Sequence, residues 1–270
     1  MVRTEPYSGS PSEDEVLYEV RDGIGFVTFN RPQARNALTF SMYDRLAEIC
    51  AGVPDDRSVR AIVISGAGGK AFAAGTDIAL FRGFRSPEQG PAYEKRADEV
   101  FSAIESCKVP TIAAISGACT GGGAGIAACC DLRLGTQDMK YGFPIARTLG
   151  NCLSAATLDR LVALLGEPRV VDLLFTARLM DADEALRIGL VSELADTHET
   201  LMARAGALAH QIAGHAPLTL DTTKQLLRRL RQRNGKIDDS DLVTRSYMSA
   251  DFREGLEAFL AKRPPRWTGR

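Results

Sequence analysis

The segment Thr111-Ile-Ala-Ala-Ile-Ser-Gly-Ala-Cys-Thr-Gly-Gly-Gly-Ala-Gly-Ile-Ala-Ala-Cys-Cys130 starts as an apolar run, passes through three consecutive glycines and ends in a second apolar run. From Val109 to Cys130 there is no charge, which exceeds the ~18 residues that raise the question of a membrane span. Five glycines, two threonines, a serine and the opening Pro110 argue against a span. The segment divides instead into a buried strand over 111–116 and a glycine turn entering a helix over 121–130. An earlier segment has the same order. Ala61-Ile-Val-Ile64 is a continuous apolar run within a strand expected over 59–65, and a glycine-rich loop follows over 66–75. Nine of the 25 glycines fall in these two clusters, at 66, 68, 69 and 75 and at 117, 121, 122, 123 and 125. Both clusters follow buried strands, and ligands of α/β sheets bind beyond the carboxyl ends of strands.

Working outward, strands are expected over 16–20, 25–30 and 132–135, with Asp22-Gly23 as a hairpin turn between the first two. Helices are expected over 41–53 and 91–107, where Met42, Leu46 and Ile49, then Tyr93, Ala97, Phe101 and Ile104, share one face. This alternation predicts an α/β core with parallel strands. After residue 150 the spacing is helical, over 153–165, 168–174, 181–188, 197–214, 216–232 and 239–262, and strand signals almost vanish. The expected organisation is a polar extension over 1–14, an α/β core over 15–200 and a helical region over 201–270.

Composition removes several functions. With 33 Lys+Arg against 34 Asp+Glu the net charge is −1, which argues against a nucleic-acid binder that works by counterion release. Arg228, Arg229, Arg231, Arg233 and Lys236 read as a solvated helix face. The six cysteines, at 50, 107, 119, 129, 130 and 152, form no CxxC pair and no zinc spacing, so no metal site is expected. The polar N-terminus lacks a secretory pattern, and reduced thiols in a cytoplasm are expected. His198, His210 and His215 read as late helical residues serving surface or packing roles.

Two phosphate motifs fail on inspection. Ser65-Gly-Ala-Gly-Gly-Lys70 has Ile64 where a P-loop needs glycine and Ala71 where it needs Ser/Thr. Gly123-Ala-Gly125-Ile-Ala-Ala128 fits a relaxed dinucleotide pattern, but it runs on from Gly121 and Gly122 in mid-chain. A different use fits the glycines. Gly121–Gly123 precede an apolar helix whose first N–H groups have no intrahelical acceptor. The Gly75-Thr76-Asp77 turn offers a second set. Two such donors converging on one oxygen make an oxyanion hole, in which one donor is worth about 3 kcal/mol.

At these residues the sequence resembles the crotonase (enoyl-CoA hydratase/isomerase) superfamily. The matching stretches are Asn30-Arg-Pro32 with Asn36-Ala-Leu38, Lys70-Ala-Phe-Ala-Ala-Gly-Thr-Asp-Ile78, and Ile115-Ser-Gly-Ala-Cys-Thr-Gly-Gly-Gly123. Cys130-Asp-Leu-Arg133, Tyr141-Gly-Phe-Pro144, Thr176-Ala-Arg178, Asp183-Glu-Ala185 and Gly189-Leu-Val191 follow in the family's order. The resemblance implies an α/β fold: a spiral of ββα units with a helical C-terminal region that builds trimers, often paired into hexamers. It implies an acyl-CoA thioester as substrate, with coenzyme A arriving as part of it and no permanently bound cofactor. The net charge and the glycine-broken apolar segment already set the expectation of no nucleic-acid and no membrane partner. The backbone N–H groups of Thr76 and Gly122 are implied to hold the thioester oxygen as an enolate develops. Ala74 is implied to face the adenine, with Asp77 and Ile78 beside it. Arg35, Lys262 and Arg263 are implied as cations for the CoA phosphates.

A hydratase of this family uses two glutamates on one water. The first stands three residues beyond the middle glycine of the triplet, and the second follows the proline of Phe-Gly-x-Pro. Here those positions hold Gly125 and Ile145, neither able to transfer a proton. The replacement is expected in Ala146–Ser154. Asn151 or Cys152 lies near the place of a catalytic group there, with Cys152 a possible nucleophile or else a small buried residue. Arg147 is a candidate to orient a substrate carboxylate or CoA. Asp77 reads as a cap on the following turn. The expected function is an acyl-CoA enzyme of the enoyl-CoA hydratase/isomerase type that works without the two-glutamate hydration. The alternative is a non-catalytic CoA-binding or assembly subunit of the same fold.

Overall fold

The computed structural model describes residues 15–231, 244–245 and 249–270. The polar extension over 1–14, Arg233, Lys236 and part of the helix expected over 239–262 lie outside the described residues.

The apolar runs form the centre of a six-stranded sheet. Its strands are β1 (Val16–Arg21), β2 (Ile24–Phe29), β3 (Ala61–Gly66), β5 (Thr111–Ile115), β7 (Leu132–Thr136) and β10 (Leu194–Ala195), in that spatial order. β1 and β2 form an antiparallel hairpin through Asp22 and Gly23, both at positive φ (51° and 78°), as a tight two-residue hairpin turn requires. The other neighbours pair parallel. Every residue of β3 and β5 is buried, as a parallel sheet covered on both faces demands.

Three-residue strands grow out of the same connections. β4 (Ala71–Ala73), β6 (Ala118–Thr120) and β8 (Lys140–Gly142) pair parallel, and β9 (Met180–Asp181) closes this second sheet antiparallel. A helix follows each short parallel strand: α2 (Gln89–Glu105), α3 (Gly122–Cys129) and α4 (Ile145–Thr148). Strand, short strand and helix thus repeat three times, giving the ββα spiral expected from the resemblance. α1 (Phe40–Ala51) precedes the first complete unit, and α5 (Ala155–Leu165), α6 (Glu167–Thr176) and α7 (Ala182–Arg187) follow the last. α8 (His198–Ala213), α9 (Pro217–Arg231) and α10 (Ala250–Leu260) form the helical C-terminal region.

Side chains alternate along the central strands. Ile62, Ile64, Ala113 and Ile115 enter the core shared with α1, α2 and α3. Ala61, Val63, Ile112 and Ala114 face the other way, onto Leu201, Ala205, Ala209 and Ile212 of α8. Strands are scarce after residue 150, as expected: β9 and β10 finish the two sheets with two residues each. His210 keeps its expected place late in a helix, whereas His198 and His215 do not. His198 opens α8 and shares a 2.8 Å hydrogen bond between its Nδ1 and Ser116 Oγ. His210 lies in the last turn of α8, and His215 lies beyond it. Among the described residues no helix is long and apolar enough to cross a membrane.

One contact fixes the distance between α3 and the second sheet. A Cβ placed on Gly123 would overlap the backbone oxygen of Ala73 in β4 and fall 2.8 Å from the Ala73 Cβ. A backbone oxygen cannot rotate away, so only glycine fits. Gly123→Ala is expected to lower the unfolding free energy by about 2 kcal/mol, in the range for overpacked cores. Gly90→Ala, at a position with nothing within 4 Å, is expected to be neutral or stabilising by about 0.5 kcal/mol. Denaturant unfolding of both variants checks the pair.

Candidate active site

The loop after η1 (Pro32–Ala34) begins the site. Asn36 is fully buried at φ 54°. Its Nδ2 donates to the carbonyls of Ala67 (3.1 Å) and Ala71 (2.8 Å), and its Oδ1 accepts from the Arg31 N–H at 3.0 Å. One side chain therefore ties the 31–38 loop to both ends of the glycine-rich turn before β4. The Arg31 guanidinium donates to the Ala37 carbonyl at 2.7 Å and to Asp77 Oδ2 at 3.1 Å. The other Asp77 oxygen accepts from Ala79 N–H and caps the 3-10 turn η2 (Ile78–Gly83).

These ties pin the backbone on both sides of Thr76. Leu38 N–H donates to Gly75 O (2.8 Å), and Asp77 N–H donates to Leu38 O (2.9 Å). The Thr76 N–H between them has no acceptor among the described residues. The second glycine turn does the same for Gly122. Gly121 N–H donates to Gly142 O, and the first helical bond of α3 runs from Gly125 N–H to Gly121 O, both at 3.0 Å. The Gly122 N–H, at the first position of the helix, is left over. The two turns touch: Gly75 and Gly121 sit at φ +104° and +53°, and a Cβ on Gly121 would lie 3.4 Å from the Gly75 Cα. Positive φ, rather than lack of space, favours glycine at both positions.

Thr76 and Gly122 line one cavity of about 180 Å³. Ala74, Ile78 and Asn151 line it too, so five of the residues singled out in the sequence meet there. Phe81, Ala97, Phe101, Phe143, Ile145 and Leu149 give the cavity an apolar wall. Phe101 also fills the space beside Gly125, where a Cβ would overlap the ring tip. The Thr76 hydroxyl stands between two phenols, 2.9 Å from Tyr43 OH and 2.7 Å from Tyr93 OH. Burial raises both phenol pKa values, well above the ordinary range for Tyr43. All three groups are therefore neutral hydroxyls at pH 7.

The remaining sequence candidates lie elsewhere. Cys152 is exposed and outside the cavity lining. The short 150–154 loop puts Asn151 on the cavity lining and leaves Cys152 out of it, so Cys152 is not the small buried residue of the alternative reading. Asn151 itself only reaches the Cys152 carbonyl, at 3.5 Å. Arg147 is exposed on α4, away from the lining. Arg35 is exposed, but its carbonyl accepts from Ala74 N–H at 3.0 Å, which holds it beside the cavity wall. Lys262 and Arg263 do not reach the lining. Arg263 forks onto Glu254 (2.6 and 3.0 Å), an ion pair that holds the Glu254 carboxyl down at about 2.

Sequence reasoning missed Tyr43, Tyr93 and Glu94. The face of α2 read as plain core is also a cavity wall. The available signal was a carboxylate directly following Tyr93 at the edge of that face. Glu94 lines the cavity, and its Oε2 accepts from Ser154 N–H at 3.0 Å. Burial raises its pKa above the ordinary carboxylate value; the Ser154 bond opposes the shift and Asp98 adds to it. Among the described residues no group of three His, Cys, Asp or Glu is placed to hold a metal.

The enoyl-CoA hydratase/isomerase family profile matches residues 19–270. The short-chain-enoyl-CoA hydratase of Clostridium acetobutylicum is 32% identical over 255 residues, covering 93% of this chain and 96% of that one. The crotonyl-CoA hydratase of Syntrophomonas wolfei is 31% identical with the same coverage. The crystal structure of an enoyl-CoA hydratase/carnithine racemase from Magnetospirillum magneticum superposes with a TM-score of 0.88. It is 35% identical and covers 95% of this chain and 96% of its own.

The hydroxyl chain gives a stability test. Thr76→Val keeps the shape and the backbone N–H but removes the oxygen that pairs with the fully buried Tyr43 hydroxyl. A loss of about 1–2 kcal/mol in unfolding free energy is expected for a buried donor left unpaired. An unchanged unfolding curve means that the two phenols pair directly.

Proposed function

The chain belongs to the enoyl-CoA hydratase/isomerase family of acyl-CoA enzymes, and we propose that its cavity holds a CoA thioester with the carbonyl oxygen between the N–H groups of Thr76 and Gly122. The observation that carries this reading is the pair of unused backbone donors on two touching glycine turns. Such donors cost no reorganisation when charge arrives, and the apolar wall keeps the local dielectric low. As negative charge moves from the α-carbon onto the thioester oxygen, each donor supplies about 3 kcal/mol. The reaction is an enolate chemistry.

In this reading the reaction does not follow the two-glutamate hydration. Position 125 carries no side chain and its space is taken by Phe101, while Ile145 puts an apolar chain on the cavity. Coenzyme A enters as part of the substrate, and no resident cofactor is required. Arg35, held against Ala74, is the first cation for its phosphates; Lys262 is a second, and the Arg263 pairing with Glu254 leaves that guanidinium engaged. Assembly into trimers or hexamers is proposed from the family resemblance. Exposed apolar side chains on α5, α6 and α7 support it: Val162, Val171, Phe175 (81% exposed) and Leu186. A cytoplasmic setting, with the thiols reduced, completes the reading.

A binding comparison tests the oxyanion hole without altering the protein. Butyryl-CoA is expected to bind about ten-fold tighter than the S-butyl-CoA thioether, which lacks the carbonyl oxygen, because two backbone hydrogen bonds are worth about 1–3 kcal/mol net. Equal affinities by calorimetry sink the assignment of Thr76 and Gly122. A panel of enoyl-CoA and β-substituted acyl-CoA thioesters then separates enzyme from binding subunit: tight binding with no turnover of any member favours the subunit.

A further inference from the structure

The carbonyl cradle explains where charge goes but not what moves the proton. We propose that Glu94 is the acid–base group of this site, a carboxylate supplied by α2 that takes the α-proton of the bound thioester. The proposal rests on the thioester occupying the cavity as described above.

The argument is one of elimination within a single wall. Among the described residues lining the cavity that holds Thr76 and Gly122, Glu94 alone carries a carboxylate. Tyr43 and Tyr93 are neutral phenols tied into the Thr76 hydroxyl chain. Asn151, Thr120, Thr148 and Thr157 have no basic group. Asp77 is committed to Arg31 and to capping η2. Asp98, one turn further along α2, is held by Arg160 at 2.7 Å and Thr157 at 3.2 Å.

Glu94 is held for the task and left unfinished. Oε2 accepts from the Ser154 N–H, which fixes the carboxylate against the 150–154 wall. Oε1 has no hydrogen-bond partner among the described residues. The same side chain borders an open surface groove with Pro91, Lys95 and Ser102, so the carboxyl lies between the cavity and water and can exchange its proton with solvent. Its raised pKa fits a base strong enough for this task.

The step balances without any co-reactant. The α-carbon–hydrogen bond breaks and an O–H bond forms on Glu94. The electron pair moves into the new carbon–carbon double bond, and the thioester oxygen becomes an enolate held by Thr76 and Gly122. Return of the proton to the α-carbon gives exchange. Return to the γ-carbon of a β,γ-unsaturated thioester shifts the double bond into conjugation.

The test is α-hydrogen exchange of butyryl-CoA in deuterium oxide, read by mass spectrometry, with binding measured on the same samples. The wild-type protein is expected to bind and exchange. Glu94→Gln, which keeps an acceptor for Ser154 N–H, is expected to bind within about three-fold and to exchange at least ~100-fold more slowly. Retained binding shows that the variant is folded. Glu94→Asp is expected to exchange at an intermediate rate. The wild-type rate should fall as pH drops through a carboxyl pKa above the ordinary value, because only the ionised form accepts a proton, and Glu94→Gln should lack that limb. Wild-type exchange rates in Glu94→Gln overturn Glu94 and leave the oxyanion hole standing. So does a wild-type protein that binds the thioester but exchanges nothing. A wild-type protein that neither binds nor exchanges overturns both readings.

Discussion

The close approach of Gly75 to Gly121 is the constraint on which the site depends. Two connections that leave neighbouring strands of the main sheet, β3 and β5, come so close that a Cβ on Gly121 would lie 3.4 Å from the Gly75 Cα. A side chain at either position would strain the positive-φ backbone on which the placement of the Thr76 and Gly122 N–H groups depends. Other features hold this contact in place. The short parallel strands β4 and β6 set the spacing just before it. The Asn36 amide ties the loop before β4 to the loop carrying Leu38. Leu38 in turn takes up the polar groups of Gly75 and Asp77, leaving the Thr76 N–H over. The Thr76 N–H stays free because Leu38 pairs with the groups on either side of it, and the Gly122 N–H because it opens a helix.

The opposite wall is held by charge. Arg160 of α5 reaches Asp98 at 2.7 Å, Glu105 at 3.1 Å and Ser102 Oγ at 3.1 Å on α2, with its guanidinium over the Phe101 ring. Glu105 is also met by Arg231 of α9 at 3.1 Å. Arg160 and Glu105 have side chains only 12% and 7% exposed, so removing either one leaves a poorly solvated charge without its partner. This network sets α5 against α2 and so places Ser154, the N-cap of α5, where its N–H meets Glu94. A structural ion network and the candidate acid–base residue therefore share one helix. Changes at Arg160 are felt at the cavity through packing rather than through direct contact.

The fold was legible because its signals are local. Ala61–Ile64 and Thr111–Ile115 are apolar on both faces and could only be buried strands. Much of the family motif is structural grammar of the same kind: Asn36 clamps a loop, Arg133 reaches the Leu190 and Cys130 carbonyls, and Arg178 pairs with Asp172 and Glu184. The three-residue strands of the second sheet were not legible. Three residues are too few to show a period, and glycines on both sides of β4 and β6 disguise those two as loop. The glycine turns were legible as donors because free N–H groups at a helix start follow from backbone geometry alone. The opposite wall was not, since Asn151 and Cys152 differ only in which way a short loop faces them. Tyr93 and Phe101 satisfy a helical apolar stripe whether they meet core or cavity, so periodicity cannot separate the two.

Glu94 shows why a site can hold a carboxylate that motif positions do not announce. A side chain at 125 would start from α3 and enter the cavity where the Phe101 ring now lies. Phe101 stands two helical turns beyond Tyr93 and Glu94 on α2. The same helix thus supplies both the aromatic ring beside Gly125 and the carboxylate on the cavity wall. The exchange has an electrostatic consequence. Two carboxylates in a cavity of about 180 Å³ would repel and could not both be ionised, so one would remain protonated as an acid. A single carboxylate with no partner cation removes that division of labour. It serves as base in one direction and as acid in the reverse, which suits moving one proton between carbons of the same thioester and not the simultaneous delivery of both parts of water.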